Sequence, residues 1–295
     1  MILSTSSIDL RDSHVMAIVN VTPDSFYSGS RTLERAAIVE RVEAAICGGA
    51  TIIDIGGYSS RPNAEEVSLE QEWERVRMGL EAVRSVVAGA VVSIDSFRSE
   101  VIRRAVEEFG DVIDDFAPYL YCVCDKFEVL KEYQRKFSGK RFLWYVCCGD
   151  GRPNTQLRLH LTEARMIGAM NYHFGFDGFL RWAYTIWPEN PRLDARYSFY
   201  ECGDTALVYP AYNGDVLLSL RYKGLLRGIS DYELLKLLDE KGNKEYAASL
   251  VASLFEEQDL VAYKEKSKET RRGAHSHNWE DFNDMKTLIL SQLCT

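Results

Sequence analysis

Short apolar runs alternate with longer amphipathic stretches through the first third of the chain. Val15-Met-Ala-Ile-Val-Asn20 predicts a buried parallel strand at 15–20. A stripe of Leu33, Ala36, Ala37, Val39, Val42, Ala45 and Ile46 predicts a helix over 32–48, ended by Gly48-Gly49. A strand follows at 51–56. Ser68, with Gln71 three residues on, has the form of a capping box and opens a helix predicted to run to Val87. A strand at 91–95 and a helix at 98–109 complete three βα units. Alternation at this spacing implies a parallel sheet with right-handed crossovers, either closed as a barrel or doubly wound.

Beyond Gly110 the pattern continues but grows aromatic. Strands are predicted at 112–122, 142–148 and 177–184, and helices at 126–137 and 162–173. Pro188, Pro191, Gly203 and Pro210 then break the chain around a short strand at 206–209, and a long helix is predicted from Val216 to Leu238. Six clear strands and one doubtful one fall short of the eight of a closed barrel. The fold class is therefore α/β, a TIM-barrel-like (β/α) arrangement that is incomplete or hybrid. Dimerisation is one way to make up the strand count. After Lys241 a helical pattern covers 244–257, and the charged run Lys264–Arg272 reads as a solvated helix or linker. The His275-x-His277 pair beyond it, in so polar a tail, is expected to bind no metal.

A net charge of -9 argues against a nucleic acid or an anionic membrane as partner, since both require a basic face. No apolar run reaches the roughly 20 residues of a membrane helix, and Met1-Ile-Leu-Ser-Thr-Ser-Ser7 lacks the form of a signal peptide. The expectation is a cytoplasmic protein acting on a small molecule. The seven cysteines include no second pair at zinc-finger spacing and read as free, mostly buried thiols.

Three apolar strands end in polar clusters: Asn20, Thr22, Asp24 and Ser25 after the first, Ser59-Ser60-Arg61 after the second, and Asp95 closing the third. Buried parallel strands deliver chemistry at their carboxyl ends in this way. Residues 15–116 resemble the N-terminal part of dihydropteroate synthase, the folate-pathway enzyme that joins a pterin to p-aminobenzoate. The resemblance implies that Asn20 contacts Mg²⁺ and pyrophosphate, and that Ser60 and Arg61 hold the diphosphate. It places Thr22, Asp24 and Ser25 on a loop that closes over substrate, and makes Asp95 the carboxylate that receives hydrogen bonds from the pterin. Asp114 takes the place of a pterin-binding Asn, which removes a donor and adds charge beside Asp115. Read without the resemblance, Asn20 and Ser60 cap strand ends, Arg61 pairs with Glu65 or Glu66, and Asp95 caps the next helix. The synthase's later strand ends, which supply a lysine, an arginine and a histidine, have no counterpart here.

The second half carries another ordered series: Phe142-Leu-Trp-Tyr-Val-Cys-Cys148, Gly178-Phe-Leu-Arg-Trp-Ala-Tyr184, Gly203-Asp-Thr-Ala-Leu-Val-Tyr-Pro210 and Ser219–Glu233. From about 117 to 240 the chain resembles the C-terminal part of a glycoside-hydrolase barrel family related to β-N-acetylgalactosaminidases. Trp144, Tyr145, Trp182 and Trp187 would then be sugar-stacking rings, or else core fillers. Arg221, Arg227 and Asp231 are expected to hold their helix to the barrel. The adjacent acidic pair expected of that family finds no match upstream, the nearest candidate being Asp114-Asp115.

The chain thus reads as a composite of a synthase-like segment 1–116, a hydrolase-like segment 117–243 and a helical, charge-rich tail 244–295. Its first expected function is binding of a pterin diphosphate, with Mg²⁺, and transfer of the pterin to p-aminobenzoate lost or much reduced. The alternatives are recognition of an N-acetylhexosamine and a catalytically silent scaffold.

Overall fold

Three parallel strands, β1 (Met16–Asn20), β2 (Ile52–Gly56) and β3 (Val91–Asp95), pair in that order in the computed structural model. It describes residues 15–22, 35–58, 66–86, 91–96, 98–110, 115–147 and 149–294. The chain divides into two compact units, one comprising residues up to Pro118 with Glu132–Phe142, the other Tyr119–Lys131 with the chain from Leu143 onward.

In the first unit helices α1 (Arg35–Cys47), α2 (Leu69–Val86) and α3 (Ser99–Phe109) follow the three strands in turn. The capping box is formed: Ser68 N–H donates to Gln71 Oε1 at 3.0 Å, and Gln71 N–H to Ser68 Oγ at 3.2 Å. Val76, Leu80 and Val83 lie one turn apart along α2 and are buried. Burial of such a side chain contributes roughly 1.5–3 kcal/mol. The helix sits so close to β2 that a β-carbon on Gly79 would stand 2.5 Å from Ile55 Cγ2. On β1 only Val19 is fully buried, while Met16 and Ile18 are exposed, so this strand is not the doubly covered one expected. An open sheet leaves a face uncovered that a closed barrel would fill. β4 (Asp115–Phe116) pairs with Arg141 and Phe142 of β5 (Arg141–Tyr145), and the rings of Phe116 and Phe142 stack at 4.9 Å.

The second unit is mainly helical. It contains α4 (Leu120–Asp125), the start of α5 (Phe127–Lys136), α6 (Leu161–Phe174), α7 (Leu220–Glu240), α8 (Lys244–Ala252), α9 (Leu260–Thr270) and α10 (Trp279–Leu293). Leu143–Tyr145 pair in parallel with β6 (Gly178–Leu180), and β7 (Val208–Pro210) pairs antiparallel with β8 (Val216–Leu218). α6 and α7 meet through glycines: a β-carbon on Gly168 would fall 1.9 Å from Gly228 O, and one on Gly228 would fall 2.3 Å from Arg165 O. Arg165 Nε donates to Asp231 Oδ2 at 2.6 Å across this contact, and Arg221 donates to the carbonyls of Gly203 and Ala206, each at 2.8 Å. The expected anchoring role of Arg221 and Asp231 is met by these bonds. Arg227 lies over the Trp279 ring at 5.2 Å.

Three element expectations are corrected. Of the predicted strand 112–122, among the described residues from 115 onward only Asp115–Phe116 is strand, and Leu120 onward is helix. The long helix starts at Leu220, where Ser219 Oγ accepts from Tyr222 N–H at 3.1 Å, because Val216–Leu218 is engaged as β8. The charged run Lys264–Arg272 lies on α9 as far as Thr270 and is mostly exposed, as a solvated helix is, but it is not a linker: Lys264 and Ser267 are buried, and Leu260, Tyr263, Phe282 and Ile289 on either side belong to the same buried core as Trp144 and Met166. Among the described cysteines Cys124 is buried, while Cys47, Cys122 and Cys294 are exposed, against the expectation of mostly buried thiols.

Among the described residues the first unit holds the three-stranded parallel sheet β1–β2–β3, which does not close on itself, and the second unit holds the parallel pairing of Leu143–Tyr145 with β6 and the antiparallel pair β7–β8. The architecture is α/β and TIM-barrel-like without barrel closure. No helix among them is long and apolar enough to cross a membrane.

Candidate functional site

Strand register brings Asn20, Gly56 and Asp95 side by side at the carboxyl end of the first unit's sheet. A β-carbon on Gly56 would stand 2.6 Å from Asn20 Oδ1 and 3.9 Å from Asp95 Cβ. The missing side chain is therefore what lets the Asn20 carboxamide lean over β2 toward Asp95. The amide oxygen of Asn20 is a hard donor of the kind Mg²⁺ takes, and fits that ion as one ligand with water completing its shell.

The electrostatics here are those of crowded carboxyls. Asp95 is exposed by area, yet the surrounding chain desolvates its carboxyl enough to raise it above the usual range. Asp54, two residues before Gly56 on β2, is pushed up to about 6, by burial first and by the Asp95 charge second, with the Ser93 hydrogen bond opposing. Glu72 is fully buried behind β3, where it accepts from Ser96 Oγ at 2.5 Å and lies 3.1 Å from Arg98 Nη1. Burial raises its carboxyl, against the pull of Ser96 and Arg98. Arg98 Nη2 also donates to Val67 O at 2.7 Å, so the turn after Asp95 is tied to α2 and to the segment before it. The second glycine of the motif has a packing role, since a β-carbon on Gly57 would meet Glu72 O at 2.7 Å.

Of the other residues expected here, Thr22 is 2% exposed and its hydroxyl has no hydrogen-bond partner among the described residues. Asp24, Ser25, Ser60, Arg61 and Asp114 lie outside the described residues. Asp54, Gly56 and Glu72 were not anticipated. Gly56 could have been found from the Gly-Gly that ends the second strand, and Asp54 from its place two residues earlier on the same face. Glu72 has no signal beyond a polar residue at an inward helical position.

In the second unit the aromatic residues separate. Trp144 is 0% exposed and its indole N–H donates to Asn171 Oδ1 at 2.6 Å, so it fills the core and offers no face to a sugar. Alternation along β5 accounts for this, because Phe142 and Trp144 point to one side and Tyr145 to the other. Tyr145 is half-buried, edge-on to Tyr119 at 5.6 Å. Trp182 is half-buried beside Tyr200, with ring centroids 4.9 Å apart, and its indole N–H donates to Asp204 Oδ2 at 3.1 Å. Arg181 Nη2 donates to the other oxygen of the same buried carboxylate at 2.7 Å. Trp187, also half-buried, donates to Val208 O at 2.8 Å. Three hydrogen bonds therefore fix both tryptophans and Arg181 in place.

A separate pocket of about 210 Å³ is lined by Arg152, Arg158, His160, Glu163, Arg271, Arg272 and His277, with Leu159. Glu163 is buried; burial alone would raise its carboxyl, but His277, His275, Arg152 and the Asn154 N–H together hold it below the usual range. Burial pushes the His275 imidazole down to about 4, against the pull of Glu163, so that it is neutral near pH 7.

Residues 69–238, more than half of the chain, match the family Glycoside hydrolase 123, catalytic domain. The chain belongs to this family. A solved structure of a family 123 glycoside hydrolase from Clostridium perfringens superposes with a TM-score of 0.58 at 18% identity, covering 88% of this chain and 45% of that one, a likeness of fold. The chain is also similar to dihydropteroate synthases. It is 32% identical to that of Synechocystis over 193 residues, covering 63% of this chain and 61% of the relative. It is 42% identical to that of Escherichia coli over 110 residues, covering 37% of this chain and 39% of the relative. The chain thus spans less than two thirds of the curated relatives it matches, and is a composite of synthase-like and hydrolase-like sequence.

Proposed function

We propose that the first unit is a binding half-site for a pterin diphosphate, and that transfer to p-aminobenzoate is lost or much reduced. The observation that carries this reading is the convergence of Asn20 and Asp95 across Gly56. Asp95 would accept hydrogen bonds from the pterin's ring nitrogen and amino group, while Ser60 and Arg61 would hold the diphosphate, a guanidinium bonding two oxygens at once. Asn20 would hold Mg²⁺, which when bound neutralises charge on a departing pyrophosphate. Asp114 in place of an amide weakens the pterin end. The lysine, arginine and histidine of the synthase's later strands are missing from the sequence, and loss of even one preorganised electrostatic contact costs about 10²- to 10³-fold in rate.

Membership of a glycoside hydrolase family supports a second reading, recognition of an N-acetylhexosamine by the second unit, with Trp182 and Trp187 as the half-buried rings available to a pyranose. Isothermal titration with pterin diphosphate and Mg²⁺, beside N-acetylgalactosamine, separates the two. Saturable pterin binding that weakens in Asn20→Ala and Asp95→Ala supports the first reading. Heat only with the sugar, lost in Trp182→Ala, overturns it in favour of the second.

A further inference from the structure

The tail histidines meet Glu163 inside the second unit. His277 Nε2 lies 3.5 Å and His275 Nε2 3.9 Å from Glu163 Oε1, and one donor atom from each of the three residues falls within 4.8 Å of the others. Zinc–ligand bonds of about 2.0–2.2 Å require donor atoms roughly 3–4 Å apart, so both separations suit a shared ion. They are too long to be good hydrogen bonds.

Two further observations point inward. His275 is fully buried, and its Nε2, the nitrogen nearer Glu163, has no hydrogen-bond partner among the described residues. A buried polar nitrogen left unpaired costs about 1–3 kcal/mol, which a bound ion would recover. The other nitrogen of His275, Nδ1, is 2.7 Å from the hydroxyl of Tyr263. With Nδ1–H donating to that hydroxyl, Nε2 carries a lone pair directed at Glu163, the outer support that metal-bound imidazoles usually have.

We propose that Glu163, His275 and His277 form a binding site for a zinc-class divalent metal ion, with a remaining coordination position open to the adjoining pocket. Two imidazoles and one carboxylate are a donor set suited to zinc and its neighbours rather than to Mg²⁺ or Ca²⁺, which take oxygen. Arg152 Nε, 3.9 Å from Glu163 Oε1, and Arg158, Arg271 and Arg272 around the pocket favour an anion as the ion's remaining ligand. The site is independent of the pterin and glycan readings.

The test is titration of the chelator-treated full chain with Co²⁺, followed by displacement with Zn²⁺. Expected are visible ligand-field bands saturating at one ion per chain and abolished by one equivalent of Zn²⁺. His277→Ala should lower the affinity at least ten-fold, and Tyr263→Phe about ten-fold. Both variants are checked for a wild-type circular dichroism spectrum. Should His277→Ala not fold, Tyr263→Phe and the stoichiometry carry the test. Absence of saturable bands, wild-type affinity in folded His277→Ala, or sulfur-to-cobalt charge-transfer bands showing ligation by exposed Cys47, Cys122 or Cys294 would each overturn the proposal.

Discussion

The carboxamide oxygen of Asn20 stands 2.6 Å from the point a β-carbon on Gly56 would occupy. Two residues far apart in sequence, one expected to bind ligand and the other unremarked, are thus a single device. Gly56→Ala should displace Asn20 while the in-register pairing of β1, β2 and β3 survives. We expect a stability loss of about 1–3 kcal/mol in urea denaturation. Loss of one charge-assisted contact should also weaken pterin diphosphate binding by roughly ten-fold or more. Unchanged affinity in Gly56→Ala would detach Asn20 from the site.

Asp54 couples the same strand ends to pH. Burial and the Asp95 charge push its folded carboxyl up to about 6, above the ordinary aspartate range, so the folded protein holds this proton more tightly than the unfolded chain does. The group's contribution to stability therefore falls as pH rises from about 4 to about 6, and the cost is complete above that window. Asp54→Asn should be more stable than the parent near pH 7.5, by up to about 3 kcal/mol, with the advantage vanishing near pH 4. Thermal melts of both proteins at the two pH values check this; a constant difference would contradict it.

Much of the first unit is legible in the sequence, and for local reasons. The Ser68/Gln71 box, the Gly48-Gly49 stop and the apolar runs ending at Asn20, Gly56 and Asp95 each act within a few residues. The misread segments are those decided by distant partners. The apolar run at 118–122 suits strand or helix equally, and the chain turns helical after Tyr119. Val216–Leu218 continues a helical pattern but finds β7. The charged run Lys264–Arg272 is mostly exposed, but Leu260 and Tyr263 on its helix, and then Phe282, Met285 and Ile289, recur at helical spacing and are buried. That spacing was the available signal for placing His275 in the core. For Trp144 the choice between sugar-stacking ring and core filler falls to the core, as side-chain alternation along β5 dictates.

The Arg165–Asp231 pair is buried on both sides, at 2% exposure each, so neither charge can fall back on water. Asp231→Ala should cost about 3–5 kcal/mol, whereas replacing both residues by apolar ones of similar volume should cost much less. Denaturant midpoints of the single and double variants measure the difference. Equal losses in the two would show that the pair acts through Asn283 and the carbonyl of Phe282, the other partners of Arg165.

Turnover of aryl N-acetylgalactosaminides should be undetectable, because Asp114-Asp115 is the nearest candidate for an acidic pair at a predicted strand end and lies downstream of where the family carries its own. Release of the aryl group, lost on mutating Asp114 or Asp115, would make those carboxylates catalytic.

Incubation of the chain with isotope-labelled pterin diphosphate, Mg²⁺ and p-aminobenzoate, followed by separation of bound ligand and product, addresses binding and transfer together. We predict that label is retained by the protein, that retention is lost in Asp95→Ala, and that dihydropteroate forms several orders of magnitude more slowly than with a complete synthase. No retention of label would contradict the half-site. Dihydropteroate formation at a complete synthase's rate, abolished in Asp95→Ala, would contradict the loss of transfer.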